Sequence, residues 1–206
     1  MTMPLERIEC AALLKNQSLL VETAKRIAEG AVFVYPTETV YGIGGRCDKP
    51  EIFQRICAIK GRDLSRQMIL LGATVDSFSI LSPQFSLNAA KCAEAFWPGP
   101  LTIIIPTSDK PDGTAIRVTD HPFIHSLSSV FTIPLFSTSA NISGKPYQAD
   151  PDTIAKTFGK QVDFMIDDGN LTVSPPSTII RFSPEDELVI VREGCIEEEK
   201  LREIVR

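Results

Sequence analysis

The chain has 206 residues, of which 43% are hydrophobic and 23% are charged, which is the composition of an ordinary globular protein. This length and apolar content predict a single domain over residues 1–206 and exclude disordered, collagen-like and fibrous classes. Lys and Arg number 21 and Asp and Glu number 26, so the net charge of −5 argues against a protein that coats nucleic acid.

Apolar periodicity and breaker residues predict an alternation of helices and short strands. In chain order the predicted elements are a helix at 18–29, strand 31–35, helix 50–59, strand 67–72, helix 84–96, strands 101–105 and 114–118, helix 122–129, strand 133–139, helix 151–158, strands 163–167, 177–182 and 187–192, and a final helix from 197. Because the alternation lacks regular βαβ spacing, we expect a three-layer α/β (α+β) fold: a twisted, mixed sheet of about seven strands flanked by helices.

The ends of the chain and the cysteines predict a cytoplasmic protein without a membrane partner. The first residues lack the basic-then-apolar order of a secretory signal. The longest apolar runs, such as 101–105, are far shorter than the roughly 20 residues that span a bilayer. Five cysteines without a C-x-x-C pair predict reduced thiols in place of a disulfide framework or a cysteine zinc site.

The common catalytic and cofactor motifs are missing from the sequence. There is no phosphate-binding G-x-x-x-x-G-K-[ST] and no nucleophilic G-x-S-x-G, and Cys47 stands where a dinucleotide fingerprint needs its last glycine. His121 and His125 are four residues apart but have no acidic cluster nearby to supply a third metal ligand, so a capping or surface role is favoured. We therefore expect no metal held by protein ligands and no organic cofactor.

Three polar clusters at the ends of predicted elements indicate an anion site. They are Pro36–Gly42, Lys60–Arg62 and Ser137–Gly144, and each alone is compatible with a simple turn. Lys60 and Arg62 are two apart and face the same way in an extended loop, where a point charge and a planar fork suit a polyphosphate. With Arg117 at a strand end as a carboxylate ligand, the clusters favour a nucleotide and a small acid as substrates.

Seven strings in order carry a resemblance to a known family: PTETVYGIG, IKGR, WPGPLTIIIP, IRVTDHP, STSANISG, STIIRF and VREGCI. They resemble the YrdC-like family, which groups the YrdC, YciO and Sua proteins, and the resemblance extends from about residue 20 to residue 196. It implies the short, single-domain form of a threonylcarbamoyl-AMP synthase. Such an enzyme, a nucleotidyltransferase, makes threonylcarbamoyl-adenylate and pyrophosphate from L-threonine, bicarbonate and ATP, and a partner complex then transfers the threonylcarbamoyl group to tRNA.

The resemblance also implies roles for individual residues. Lys60 and Arg62 match a K-x-R pair that binds the phosphates of ATP and stabilises charge during the reaction, with Mg²⁺ accompanying ATP. The residues expected around the nucleotide are Lys60, Arg62, Ser139, Asn141 and Arg192. The residues expected around threonine are Thr37, Arg117, Ser137 and Ser177. Tyr41 and Gly42 are expected to shape the pocket wall.

Departures from the family pattern keep two alternatives open. Asp63 stands where many relatives have proline, as in a YciO-like paralogous branch, and Gln67-Met68 replaces a Pro-Leu step. Family members have also been described as double-stranded RNA or tRNA binders. Residues 46–66 hold six Lys or Arg against three Asp or Glu, and such a basic segment suits RNA phosphates as well as ATP.

Overall fold

The computed structural model describes residues 4–172 and 174–206. The helices are α1 Cys10–Lys15, α2 Gln17–Glu29, α3 Pro50–Lys60, α4 Leu87–Phe96, α5 Pro122–Ser128, α6 Pro151–Phe158 and α7 Glu198–Ile204, with a 3₁₀ helix at Val75–Leu81. The strands are β1 Arg7–Glu9, β2 Phe33–Tyr35, β3 Gly42–Arg46, β4 Ile69–Gly72, β5 Leu101–Ile105, β6 Thr114–Val118, β7 Leu135–Ser139, β8 Phe164–Asp167, β9 Thr178–Phe182 and β10 Leu188–Arg192.

These strands form one mixed, twisted sheet in the order β1-β8-β2-β3-β7-β4-β6-β5-β9-β10. Parallel pairing joins β1 and β2 to β8, β4 to β6, and β5 to β9, while the other neighbours are antiparallel. The predicted α/β fold with a mixed sheet flanked by helices is confirmed. The described part of the chain contributes ten strands, however, and not about seven.

The sequence reading missed β1, α1 and the central strand β3. The glycines of β3 resemble a loop, yet the packing around this strand requires them. A Cβ on Gly44 would lie 2.1 Å from the carbonyl oxygen of Phe136 and 2.9 Å from the ring of Tyr35. A Cβ on Gly45 would lie 2.8 Å from the carbonyl oxygen of Ala31. Glycine therefore serves close packing within the sheet here, and not a turn.

The half of the sheet that contains β1, β8, β2 and β3 is covered on both faces, and we call it the covered half. Helices α1, α2 and α5 pack on one face against Phe33, Tyr35 and Phe164, all fully buried. The rings of Phe33 and Phe164 stack with centroids 5.0 Å apart. Helices α3 and α6 pack on the other face against Val34 and Met165. This half is the predicted three-layer structure.

The half that contains β6, β5, β9 and β10 has a helical layer on one face only, and we call it the open half. Helices α4 and α7 and the 3₁₀ helix pack against Ile103, Ile116 and Ile180. Because side chains alternate between faces along a strand, Ile104 and Ala115 point to the opposite face. Those two residues line a cavity there, so the open face is where a ligand can reach the sheet.

No helix within residues 4–172 and 174–206 combines the length and apolar character that crossing a membrane requires. The five cysteines are free thiols: Cys10, Cys57 and Cys92 are buried, and Cys47 and Cys195 are half-buried.

Candidate active site

A cavity of about 360 Å³ lies on the open face of the sheet, between the loop after β2, the loop after α3 and the ends of β7, β9 and β10. Of the nine residues that the sequence predicts for the site, seven line this cavity: Thr37, Arg62, Arg117, Ser137, Ser139, Ser177 and Arg192. The other two, Lys60 and Asn141, lie behind its wall in contact with Ser139. Segments far apart in sequence thus meet at one place.

Two of the cavity arginines are each held along one edge by hydrogen bonds. Arg62 donates from Nη2 to the carbonyl oxygen of Gln67 at 2.6 Å and from Nη1 to Thr138 Oγ1 at 3.4 Å. Arg192 donates from Nη2 to the carbonyl oxygen of Ser177 at 2.6 Å and to Ser177 Oγ at 3.3 Å. These contacts orient the guanidinium groups without using all of their N–H donors.

Burial lowers the pKa of both Arg62 and Arg192, because each cation has lost part of its hydration. Both groups still carry their charge at neutral pH. The Nε atoms of both residues are buried and have no hydrogen-bond partner among the described residues. Buried donors are normally satisfied, so each of these unpaired N–H groups is unusual, and both belong to arginines that line the cavity.

A third arginine, Arg117 on β6, is held by a carboxylate that the sequence reading gave no role. Its Nη2 lies 2.8 Å from Glu38 Oε1 and donates to Thr39 Oγ1 at 3.0 Å, and its Nε donates to the carbonyl oxygen of Gly99 at 3.3 Å. Thr119 donates its hydroxyl to the other oxygen of Glu38. Nη1 has no hydrogen-bond partner among the described residues, and Arg117 lines the cavity, where a guanidinium group is chemically suited to a carboxylate or carbamate.

The ionisation of Glu38 follows from two opposing effects. Burial favours the neutral acid, but the charge of Arg117 and the hydrogen bonds outweigh it, so the pKa of Glu38 is lowered. Glu38 is therefore an anion at neutral pH, and its two oxygens are engaged by Arg117 and Thr119. The one sequence signal for the role of Glu38 was that an acidic residue stands inside the PTET string. Its partner Arg117 is 79 positions further along the chain, so the pairing could not be predicted from neighbouring residues.

Lys60 fastens the loop after β7. Its Nζ donates to the carbonyl oxygens of Ser139 and Asn141 and to Asn141 Oδ1 at 3.2 Å. An ammonium group has three N–H donors, so these three acceptors can occupy all of them. Burial, together with the nearby charge of Arg62, lowers the pKa of Lys60 to about 8. Direct contact of Lys60 with phosphates stays a prediction that requires the ammonium to exchange one of these acceptors.

The hydroxyl group of Thr37 holds the PTET loop in a turn. Thr37 donates from Oγ1 to the carbonyl oxygen of Val40 at 2.7 Å and accepts from the backbone N–H groups of Thr39 and Val40 at 3.2 and 3.1 Å. This turn leads into β3, so Thr37 shapes the loop as well as lining the cavity. Contact of Thr37 with a substrate threonine stays a prediction.

The expectation that Tyr41 shapes the pocket wall is wrong, although Gly42 does line the cavity. Tyr41 is fully buried, donates its hydroxyl to the carbonyl oxygen of Gly169 at 2.8 Å and accepts from the backbone N–H of Asp168 at 2.9 Å. Neighbouring residues in an extended segment point to opposite faces, so only one of the two can reach the cavity.

The basic segment 46–66 is divided between two surfaces. Arg46 pairs with Asp48 at 2.6 Å and Arg55 with Asp163 at 2.7 Å, away from the cavity. The positive charge of the cavity instead comes from arginines on four separate parts of the chain, at positions 62, 117, 181 and 192. The number of Lys and Arg residues in segment 46–66 therefore overestimates how much of the cavity's positive charge comes from that segment.

His121 caps α5, as the sequence favoured: its Nδ1 accepts from the backbone N–H of Phe123 at 3.2 Å. Among the residues that the structure describes, no group of three His, Cys, Asp or Glu side chains is arranged to hold a metal ion.

Comparison with known proteins adds independent findings. A family model named Sua5_yciO_yrdC, described as telomere recombination, matches residues 25–194. A relative from Methanocaldococcus jannaschii, named putative threonylcarbamoyl-AMP synthase, is 36% identical over 91% of this chain and 91% of its own length. The threonylcarbamoyl-AMP synthase of Pyrococcus abyssi is 30% identical over 87% of this chain, but the matched region spans only 55% of that longer protein.

Solved structures agree with these sequence matches. P. abyssi Sua5, crystallised with L-threonine, superimposes with a TM-score of 0.84 at 27% identity, covering 97% of this chain and 60% of that one. E. coli YciO superimposes with a TM-score of 0.78 at 26% identity, covering 88% of this chain and 92% of that one.

Proposed function

The chain belongs to the Sua5/YciO/YrdC family, and from that premise we propose that it is a threonylcarbamoyl-AMP synthase that uses L-threonine, bicarbonate and ATP. In reaction terms it is a nucleotidyltransferase, because an adenylyl group moves from pyrophosphate to a carbamate oxygen. The observation that carries the proposal is the convergence of Arg62, Arg117 and Arg192 on one cavity that the motif hydroxyls also line.

The two substrates are assigned to opposite ends of the cavity. The nucleotide would contact Arg62, Ser139 and Arg192, with Lys60 and Asn141 supporting this end from behind. Threonine would lie against Thr37, Arg117, Ser137 and Ser177. Support for this division comes from Arg117, whose Nη1 has no partner among the described residues and suits the single carboxylate of an amino acid. It also comes from Arg62 and Arg192, two guanidinium groups on the cavity wall that together suit several phosphate oxygens.

The chemistry follows from these charges. Bicarbonate releases CO₂ and hydroxide, the amine nitrogen of threonine bonds to the carbon of CO₂, and the proton that the amine loses joins the hydroxide as water, which leaves a carbamate. A carbamate oxygen then bonds to the α-phosphorus of ATP while the bond to the β-phosphate oxygen breaks, and pyrophosphate leaves with the electron pair. Negative charge grows on the phosphoryl and leaving oxygens, where Arg62 stabilises it and Lys60 reinforces the local positive potential. No side-chain nucleophile is needed.

Mg²⁺ enters this proposal bound to ATP. Protein sites for this ion commonly combine one or two carboxylates with substrate phosphates. Glu38 is already engaged by Arg117 and Thr119, which leaves the exposed Asp112 as the fitting carboxylate on the cavity wall. The ion would neutralise charge on the phosphates.

The product determines the partners in the proposal. Threonylcarbamoyl-adenylate is a mixed anhydride, so an enzyme complex must transfer its threonylcarbamoyl group to an adenosine of tRNA in the cytoplasm. The alternative function as an RNA-binding module is weakened by the ion pairs of Arg46 and Arg55, which take charge out of the basic segment.

The departure at position 63 is compatible with the same function. Asp63 accepts from the backbone N–H of Ser65 at 2.8 Å, and this hydrogen bond lowers the pKa of the exposed Asp63 carboxyl group. Asp63 therefore forms an Asx turn with its side chain. Proline also favours a turn, but through its fixed φ angle. Asp63 is absent from the cavity wall, whereas Gln67 at the next departure does line the cavity.

The test is pyrophosphate release that requires ATP, L-threonine and bicarbonate together. Arg62→Ala should lower the rate by about 10²-fold, since it removes a cation from developing charge. Arg66→Ala is the matched control: Arg66 is exposed in the same loop and does not line the cavity, so its rate should stay near that of the wild type. Threonine-dependent turnover that survives alanine at both positions 60 and 62 would contradict the assignment. Salt-sensitive RNA binding without such turnover would favour the RNA-binding module.

A further inference from the structure

Tyr35, the last residue of β2, lies directly behind the threonine end of the cavity. Its ring extends across the glycines of β3: a Cβ on Gly42 would be 3.3 Å from the Tyr35 hydroxyl oxygen, and a Cβ on Gly44 would be 3.0 Å from it. Gly42 lines the cavity, and Gly44 pairs in the sheet with Ser137, which also lines it. The phenol oxygen is therefore separated from the cavity by one layer of residues.

The Tyr35 hydroxyl is a buried polar group without a hydrogen-bond partner in the described part of the chain, on a residue that is 0% exposed. Such a group is costly, because desolvation is not repaid. Packing alone does not explain it, since phenylalanine would fill the same space without that cost. An unsatisfied buried hydroxyl beside a binding cavity calls for a functional explanation.

Ser137 is the group best placed to provide the missing partner. It is close enough to the phenol to offset part of the effect by which burial raises the pKa of Tyr35, although the two hydroxyls do not form a hydrogen bond in this structure. The Ser137 hydroxyl hydrogen turns about the Cβ–Oγ bond and its oxygen moves with rotation about the Cα–Cβ bond, so a small side-chain movement would let the two hydroxyls form a hydrogen bond.

We propose that Tyr35 is a positioning residue for Ser137: when threonine occupies the cavity, the two hydroxyls form a hydrogen bond that fixes the direction of the Ser137 proton and lone pairs. The proposal rests on the proposed function, because it takes Ser137 as a threonine ligand. The free-energy cost of the unpaired Tyr35 hydroxyl is then recovered only when threonine is bound. In this way Tyr35, which packs across the glycines of β3, takes part in substrate recognition.

Tyr35→Phe tests the inference, because the ring and its packing are kept. We expect its unfolding midpoint to be unchanged or raised, since the variant lacks an unsatisfied hydroxyl. We expect the KM for L-threonine to rise by about three- to tenfold, the effect of one neutral hydrogen bond, while the KM for ATP stays near the wild-type value. The stabilisation of the wild type by L-threonine in thermal unfolding should shrink in parallel, which gives a readout besides turnover.

Two further variants separate positioning from structure. In a Ser137→Ala background, Tyr35→Phe should add no further change in the KM for threonine, because its target is gone. Tyr41→Phe is the matched control: it loses two hydrogen bonds away from the cavity, so its unfolding midpoint should fall while the KM for threonine stays unchanged.

The outcomes distinguish this inference from the proposed function. A wild-type protein without threonine-dependent turnover or threonine stabilisation would overturn both. With an active wild type, a normal KM for threonine in Tyr35→Phe would overturn the positioning role alone. An undiminished effect of Tyr35→Phe in the Ser137→Ala background would also overturn it.

Discussion

In both the covered half and the open half of the sheet, side chains alternate between the two faces, but the faces contact different surroundings. In the covered half both faces are apolar, and Phe33 and Phe164 on one face and Val34 on the other are all 0% exposed. In the open half only one face is closed by helices, and the other presents Arg117 to a cavity. The covered half supplies the larger part of the core, which leaves the open face free to hold polar and charged groups.

Charged residues follow the same division. In the covered half they pair with each other at the surface, as Arg7 does with Asp167 at 2.9 Å and Arg55 with Asp163 at 2.7 Å. At the cavity the Nε groups of Arg62 and Arg192 have no partner among the described residues. Surface pairs of the first kind contribute little to stability, whereas a buried donor without a partner costs free energy.

The largest expected effect is loss of stability in the covered half. Phe33→Ala removes a ring that packs against three other aromatic rings, so it should lower the free energy of unfolding by about 3–5 kcal/mol. Ile104→Ala, on the open face, should cost about 1 kcal/mol, because part of its side chain already faces the cavity. Denaturant unfolding measures both. Equal losses would show that the open face contributes to folding as much as the covered half.

A smaller effect should follow from breaking the pair that orients Arg117. Glu38→Gln removes the anion beside Nη2, so the KM for L-threonine should rise by about tenfold, as for a hydrogen bond to a charged group. The KM for ATP should change much less. Glu22→Gln, on the exposed side of α2 in the covered half, is the control and should behave as wild type. A change in the two KM values to the same extent would mean that Glu38 supports the whole cavity and not its threonine end.

The smallest expected effect is a pH dependence from Lys60. Its pKa is about 8 in the folded chain and 10.5 ordinarily, so between these values the unfolded chain binds more protons. Raising the pH through this window therefore favours the folded state, whereas below pH 8 the full cost of burying the ammonium is present. Relative to Lys60→Met, the wild type should gain about 1 kcal/mol of unfolding free energy between about pH 8 and pH 9, the first part of this window. If the unfolding free energies of the two proteins changed with pH in the same way, the lowered pKa of the buried Lys60 ammonium would be contradicted.

Local sequence was sufficient to predict most elements of the fold, and the resemblance to a known family indicated seven residues that line the cavity. Helix ends followed from caps that depend on near neighbours, as when Asp150 accepts from the backbone N–H of Thr153 at 3.0 Å. Strand β3 was missed because its glycines have low strand propensity. Glycine is required at these positions because the ring of Tyr35 and the backbone of Phe136 lie too close for a Cβ atom. No local sequence pattern reveals those contacts.

By itself, the sequence determined the family, most of the helices and strands apart from β1, α1 and β3, and the residue types available for binding anions, because motifs, caps and periodicity depend on neighbours along the chain. Only the tertiary structure decided which sheet face stays open, that Glu38 holds Arg117, that Lys60 points into the loop after β7, and that Tyr41 faces away from the cavity. These features depend on contacts between segments that are distant in sequence, and packing across the sheet brings those segments together.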